Sequence, residues 1–189
     1  MGQCLTSSGK VYDPMSPDAS VVDVADIAHA LSQTCRYGGH TSQLYSVAEH
    51  SVLVYLNGLI RMGCDNRVGL MALLFHDAAE VYLDDAVAPF KELPQMEWYR
   101  DLEAAWMGAI CEKLGVAGEV DAAMRELVKK VDDEVRGIEM AYLFPTAPAE
   151  VKKSWGFNYG GVVGEIGCLE PSRAEQSFLC VFNRIEAMR

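Results

Sequence analysis

The sequence is short of positive charge. Sixteen Lys and Arg stand against 27 Asp and Glu, a formal net charge of -11 at pH 7. Like charge repels a nucleic-acid backbone, so nucleic acid is not an expected partner. A small anion gripped by local cations or by a metal stays compatible with that total. C-x-x-C pairs are also missing. Cys4, Cys35, Cys64, Cys111, Cys168 and Cys180 are scattered, which argues against a cysteine zinc site. They read as reduced, mostly buried thiols of a cytoplasmic protein. No apolar run is long enough to span a bilayer. The opening "MGQCLTSSGK" has no signal core. Its loose match to a myristoylation pattern reads as chance in a polar leader. No membrane association is expected. Repeats, low-complexity tracts and linkers are absent too. The 189 residues, half hydrophobic and 23% charged, are enough for one domain with a sizeable core.

Gly and Pro punctuate both ends and leave a helical middle. Residues 1–21 read as an irregular or short-strand leader. Apolar spacing predicts helices over 21–33, 45–60, 67–83, 96–115 and 119–144,. Asp65 or Asn66 is placed to cap the third, Gly115 to stop the fourth and Pro145 the fifth. "CRYGGHTSQ" and "DDAVAPFKELP" are loops, and residues 154–168 have no helical period. Ser172 and Glu175 suggest a capping box for a last helix ending near 188. The expected fold is a single all-α domain over 1–189, with a motif core of about 22–145 and a C-terminal helix of about 172–189.

The chemistry concentrates in "LLFHDAAEVYLDD", residues 73–85. His76 and Asp77 are good ligands for a divalent metal. Glu80 lies four residues beyond His76 on the same expected helical face, placed to handle a proton. His50 and Asp132 each sit beside an apolar stripe on another helix. Burying them unpartnered costs kilocalories, and a shared metal would remove that cost. Taken singly, each has a bland alternative. His50 can be a satisfied core histidine, Asp132 and Asp133 a solvated pair, Asp84 and Asp85 a turn. The order His…His-Asp…Asp over three helices shifts the weight to a site.

That pattern resembles the HD-domain metal-dependent phosphohydrolases. "DIAHALSQTCRYGGHTSQLYSVAEHSVLV", "FHDAAEVYLDDAVAPFK" and "VKKVDDEVRGIEM" look like the bacterial 5'-deoxynucleotidases. They look still more like phage and prophage relatives that include dATP triphosphohydrolases. The similarity runs over roughly residues 8–145 and implies a compact helical HD-domain fold. It implies His50, His76, Asp77 and Asp132 as metal ligands, with Asp77 and Glu80 the catalytic pair. It implies Arg36 and Lys91 near phosphate, Asp85 near the sugar, and Tyr37 where relatives carry another aromatic. His40, ending the glycine loop, is a further substrate candidate or a plain surface residue. His29 is assigned to helix packing. One departure stands out: Asp133 and Glu134 follow Asp132 where phage relatives often have basic residues.

The expected activity is therefore divalent-metal-dependent hydrolysis of 2'-deoxynucleotides, with dATP favoured, releasing deoxynucleoside and phosphate. Two His and two Asp suit Zn, Mn or Co, with Mg possible. A broad 5'-deoxynucleotidase acting on deoxynucleoside monophosphates is the alternative within the class. A non-catalytic nucleotide-binding regulator is the alternative outside it. The resemblance also implies a homo-oligomer in a bacterial or phage-infected cytoplasm. Trp98, Tyr99 and Trp106 are candidates for its interface or for the core.

Overall fold

Apolar residues at helical spacing place one buried face on each long helix, and most of those faces meet around the second. In the computed structural model, which describes residues 2–61, 63–84, 86–154 and 164–188, α2 (Val47–Arg61) is central. It packs against α1 (Val24–Gln33), α3 (Arg67–Leu74), α7 (Ala122–Leu143) and α9 (Pro171–Glu186). Shorter α4 (Glu80–Leu83) and α5 (Ala88–Lys91) lead into α6 (Glu97–Leu114), and α8 (Ala149–Ser154) follows α7. The two strands among the described residues, β1 (Cys4–Leu5) and β2 (Val11–Tyr12), pair antiparallel, Cys4 opposite Tyr12. The fold is an all-α single domain with a small hairpin leader. No helix among the described residues is long and apolar enough to cross a membrane.

The caps follow local chemistry. Asp23, Asn66 and Asp121 each accept a backbone N–H in the first turn of α1, α3 and α7,. Gly115 takes the left-handed conformation (φ 68°) that stops α6,. Gly58 lets α3 approach α2: a Cβ there would lie 2.3 Å from Leu73 Cδ1. That contact brings together the two helices that carry His50 and lead to His76. On the other side of α4, Tyr82 stacks on Trp106 at 4.0 Å, and Tyr12 meets both rings edge-on. Trp106 is fully buried and its indole N–H donates to the Pro14 carbonyl at 2.8 Å. Tyr99 is buried as well, whereas Trp98 is 56% exposed.

Two local expectations are corrected. The third helix does not run unbroken from 67 to 83. It ends at Leu74, and residues 75–79 form turns before α4 begins. The His76 ring Nδ1 lies 2.9 Å from the Leu73 carbonyl, the acceptor that a continuing α-helix would give to the Asp77 N–H. The backbone tightens instead into i→i+3 bonds, Ala78 to Phe75 and Glu80 to Asp77,. Nor does Ser172 cap the last helix. Pro171 already occupies its first turn, its fixed φ suited to that place, and Glu170 precedes it,. Glu175 turns to His29 on α1 at 3.1 Å, in keeping with a packing role for that histidine.

The leader is fastened by one carboxylate. Asp26, 2% exposed, accepts from Ser7 Oγ, Ser8 N and Ser8 Oγ at 2.6–2.8 Å. Burial would raise its pKa, but these donors outweigh burial and hold it at about 2. A carboxylate depressed on folding stabilises the fold fully above its ordinary value near 3.8 and loses that contribution as pH falls through about 2,. Asp26→Ala is expected to destabilise the domain by about 1–3 kcal/mol at neutral pH. Urea titrations of both proteins should show the gap closing between pH 4 and pH 2.

Candidate metal centre and cleft

Three segments deliver the polar groups. α2 presents His50, fully buried between apolar neighbours, and the turn after α3 presents His76 and Asp77. α7 presents Asp132 and, two turns later on the same face, Glu139,. His50 Nε2 lies 3.1 Å from His76 Nε2, 3.2 Å from Asp132 Oδ1 and 3.6 Å from Asp77 Oδ2. His76 Nε2 lies 3.2 Å from Asp77 Oδ2 and 4.0 Å from Asp132 Oδ1. These separations scatter around the ~3.4 Å edge of a tetrahedron whose metal–ligand bonds are ~2.1 Å.

The donor set suits a cation. The Nδ1 of His50 is 2.6 Å from Glu139 Oε1, and that of His76 faces the Leu73 carbonyl. A ring that donates through Nδ1–H presents a lone pair at Nε2. Positive charge, whether a shared proton or a metal ion, reconciles two such nitrogens with the carboxylate oxygens beside them. The same demand appears in the titration. Burial and the Arg36 charge press the His50 pKa down, yet Glu139 and Asp132 hold it at about 9. Burial would raise Asp77 and Asp132, but the neighbouring imidazoles keep both well below the usual carboxylate range. The residues present fit a divalent ion. His50, His76 and Asp132 form a triad whose ligand atoms all lie within 4.8 Å of one another. Asp77 flanks that triad, shared with Arg36 NH1 at 3.1 Å.

Glu139 organises the inner wall and had no place in the sequence-based site. Fully buried, it accepts from Tyr45 at 2.6 Å and Tyr37 at 2.8 Å, besides facing His50 and, at 3.4 Å, Arg36 Nε. Its spacing of seven from Asp132 was the available signal. Tyr37 sits at φ 57°, ψ 29°, a conformation that costs a non-glycine residue on the order of 1–3 kcal/mol. Its bond to Glu139 and its edge-on contact with Phe144 at 5.3 Å hold it there.

A cleft of about 610 Å³ opens beside Asp77 and Asp132, with Arg36, Lys91, Lys129 and Arg136 in its walls. Tyr37 and Glu80 line it too. Lys91 bridges Glu80 at 3.2 Å and Glu103 at 2.7 Å. Burial disfavours its charge, but the two carboxylates outweigh that and the ammonium persists. Lys129 and Arg136 both pair with Asp133. They are the cations that the acidic Asp133-Glu134 step had concealed. His40 is exposed at the end of its loop and is not among the cleft-lining residues. Asp85 lies outside the described residues. A second cavity of about 460 Å³ beyond α4 is walled by Tyr12, Tyr82, Trp98 and Tyr99 and has no lysine or arginine in its lining. Of these two, the first is the one that presents cations to its interior.

An uncharacterized protein of Rhodobacter capsulatus is 31% identical over 152 residues, covering 79% of this chain and 76% of that protein. The chain belongs to its family. The uncharacterized protein YfdR of Escherichia coli is 38% identical over 116 residues, 59% of this chain and 57% of YfdR. No family model matches the chain. These likenesses establish kinship and leave the chemistry to the site itself.

Groups that orient a ligating histidine commonly change metal affinity by about 10–100-fold when altered. Glu139→Gln keeps the shape and removes the charge facing His50. We expect it to weaken Mn²⁺ binding within that range while the helical circular dichroism stays near wild type. Unchanged affinity would make Glu139 a packing residue only.

Proposed function

We propose that the protein is a divalent-metal-dependent phosphohydrolase of 2'-deoxynucleotides, with dATP the favoured substrate. The observation that carries this reading is the convergence of two imidazole nitrogens and two carboxylates at the edge of a cation-lined cleft. A ligand-sized cleft with a few convergent charges is the usual setting for small-molecule chemistry. The choice of deoxynucleotides, and of dATP, rests on the resemblance of the three sequence blocks to phage dATP triphosphohydrolases.

His50, His76 and Asp132 would hold the ion, with Asp77 completing the set; Zn, Mn and Co suit these donors better than Mg. When bound, such an ion activates water and neutralises charge on a phosphoryl oxygen. The chain's own residues do the rest. Arg36 grips phosphate oxygens bidentately, and Lys91 supplies a point charge. Lys129 and Arg136 offer further positive charge on the α7 side of the cleft. Phosphoryl transfer needs this positioning and charge stabilisation more than covalent help. Glu80, buried and lining the cleft beyond Asp77, is the group placed to move a proton,. Tyr37 forms the aromatic wall.

Two measurements test the reading. A panel of deoxy- and ribonucleoside mono- and triphosphates with Mn²⁺ or Co²⁺ should release phosphate from deoxynucleotides, dATP foremost. No turnover of any member would sink it. Glu80→Ala should retain full metal stoichiometry and lose about 10²–10⁴-fold in rate. Unchanged turnover would return Glu80 to a structural role with Lys91.

A further inference from the structure

Arg36 has two faces engaged. Its Nε lies 3.4 Å from Glu139 Oε2, and its NH1 donates to Asp77 Oδ2 at 3.1 Å. That same Asp77 oxygen lies 3.2 Å from His76 Nε2 and 3.6 Å from His50 Nε2. One oxygen thus looks both at a guanidinium and at the point where a cation would sit. The other three ligands already form a group on their own, and Asp77 is the one of the four that a guanidinium also holds. Arg36 also lines the anion-binding cleft with Lys91, Lys129 and Arg136. We propose that Arg36 competes with a divalent ion for Asp77, so that metal binding at the triad releases the Arg36 guanidinium to take the substrate's phosphate.

The physical argument is one of charge placed on a single acceptor. With no ion, Arg36 and the neighbouring imidazoles together compensate Asp77, and a buried carboxylate is not left unpaired,. A divalent ion drawing on the same oxygen is a stronger partner, and two cations on one oxygen repel at close range. Arg36 need not leave the wall. The Glu139 carboxylate, 3.4 Å from Nε, keeps the charge of that end compensated, so the guanidinium can pivot and turn NH1 toward the cleft. Metal binding then comes before tight anion binding, and Arg36 restrains metal affinity rather than supporting it. A residue that merely held Asp77 in place for the metal would do the opposite.

The proposal rests on the metal reading of the triad, and the test separates the two. Metal-stripped wild type, Arg36→Met, Asp77→Asn and the double variant are titrated with Mn²⁺ alone by calorimetry at fixed pH and ionic strength. A charged hydrogen bond removed from competition should tighten Mn²⁺ binding in Arg36→Met on the order of tenfold. In the Asp77→Asn background the same substitution should change nothing, because the contested oxygen's charge is gone. Weaker or unchanged binding in Arg36→Met overturns the proposal. So does an equal gain in both backgrounds, which would mean general repulsion. Wild type that takes up no Mn²⁺ overturns the metal reading itself, and the proposal with it. If Arg36→Met fails to fold, Arg36→Lys decides. It keeps the charge and loses the planar fork, so several-fold tighter binding supports the exchange, and equal or weaker binding refutes it.

Discussion

A buried carboxylate must be partnered, and Glu139 makes that requirement the frame of the site. It is sealed from solvent on α7 and faces Tyr45, Tyr37, His50 and Arg36. A carboxylate stripped of such partners in a low-dielectric interior is costly, while apolar contacts alone tolerate small slips. Hydrophobic stripes hold α7 against α2; Glu139 selects one register and one rotation. The tautomer of His50 follows from that choice, and with it the direction of the Nε2 lone pair. The position of Asp132, two turns back on the same helix, is set by the same rotation.

The cleft carries cations in a chain whose net charge is -11, and each of those four cations is tied to a carboxylate. Arg36 holds Asp77, Lys91 holds Glu80 and Glu103, and Lys129 and Arg136 share Asp133. The ties that lie nearer the surface are weak, because solvent screens them; the Arg36 and Lys91 ties are more buried and stronger. An entering anion therefore meets graded competition. It can recruit Lys129 and Arg136 at small expense, while the inner cations yield only to something that compensates their carboxylates. This grading favours a ligand that arrives with a cation already in the triad over a bare anion on the surface.

Much of the architecture was legible because it rests on short-range patterns. The 3.6-residue period marked the long helices, Asn66 and Gly115 marked a start and a stop, and among the described residues the helices left only the hairpin leader to strands. His50, His76 and Asp132 were legible as polar residues interrupting apolar stripes, and the structure brings them together. Several of the misses depend on what lies beside a side chain in space rather than in sequence. Glu139, Lys129 and Arg136 look like ordinary polar helix residues until α7 is placed beside α2 and the Arg36 loop. Ser172 and Glu175 satisfied a local capping rule, but Pro171 had already set the helix start and Glu175 had a partner on α1. Glu49 was equally silent. Its carboxylate accepts the N–H groups of Gly167, Cys168 and Leu169, fastening the approach to α9 one residue before His50.

The broken third helix shows why a departure from regular structure belongs at this point. In a continuous α-helix His76 and Asp77 would diverge by about 100° and could not share one ion without the helix passing directly beneath it. The tightened turn changes that. His76 takes the Leu73 carbonyl through its ring, the backbone shifts to i→i+3 bonding, and Nε2 of His76 comes to 3.2 Å from Asp77 Oδ2. The residue that breaks the helix is therefore the one that the break orients. Substituting His76 would remove a ligand and also return the Leu73 carbonyl to the backbone, letting the helix continue and carrying Asp77 away from the triad. Loss of metal binding in a His76 variant would thus combine two effects, whereas an Asp77 variant leaves the turn's own hydrogen bond in place and changes the ligand together with its tie to Arg36.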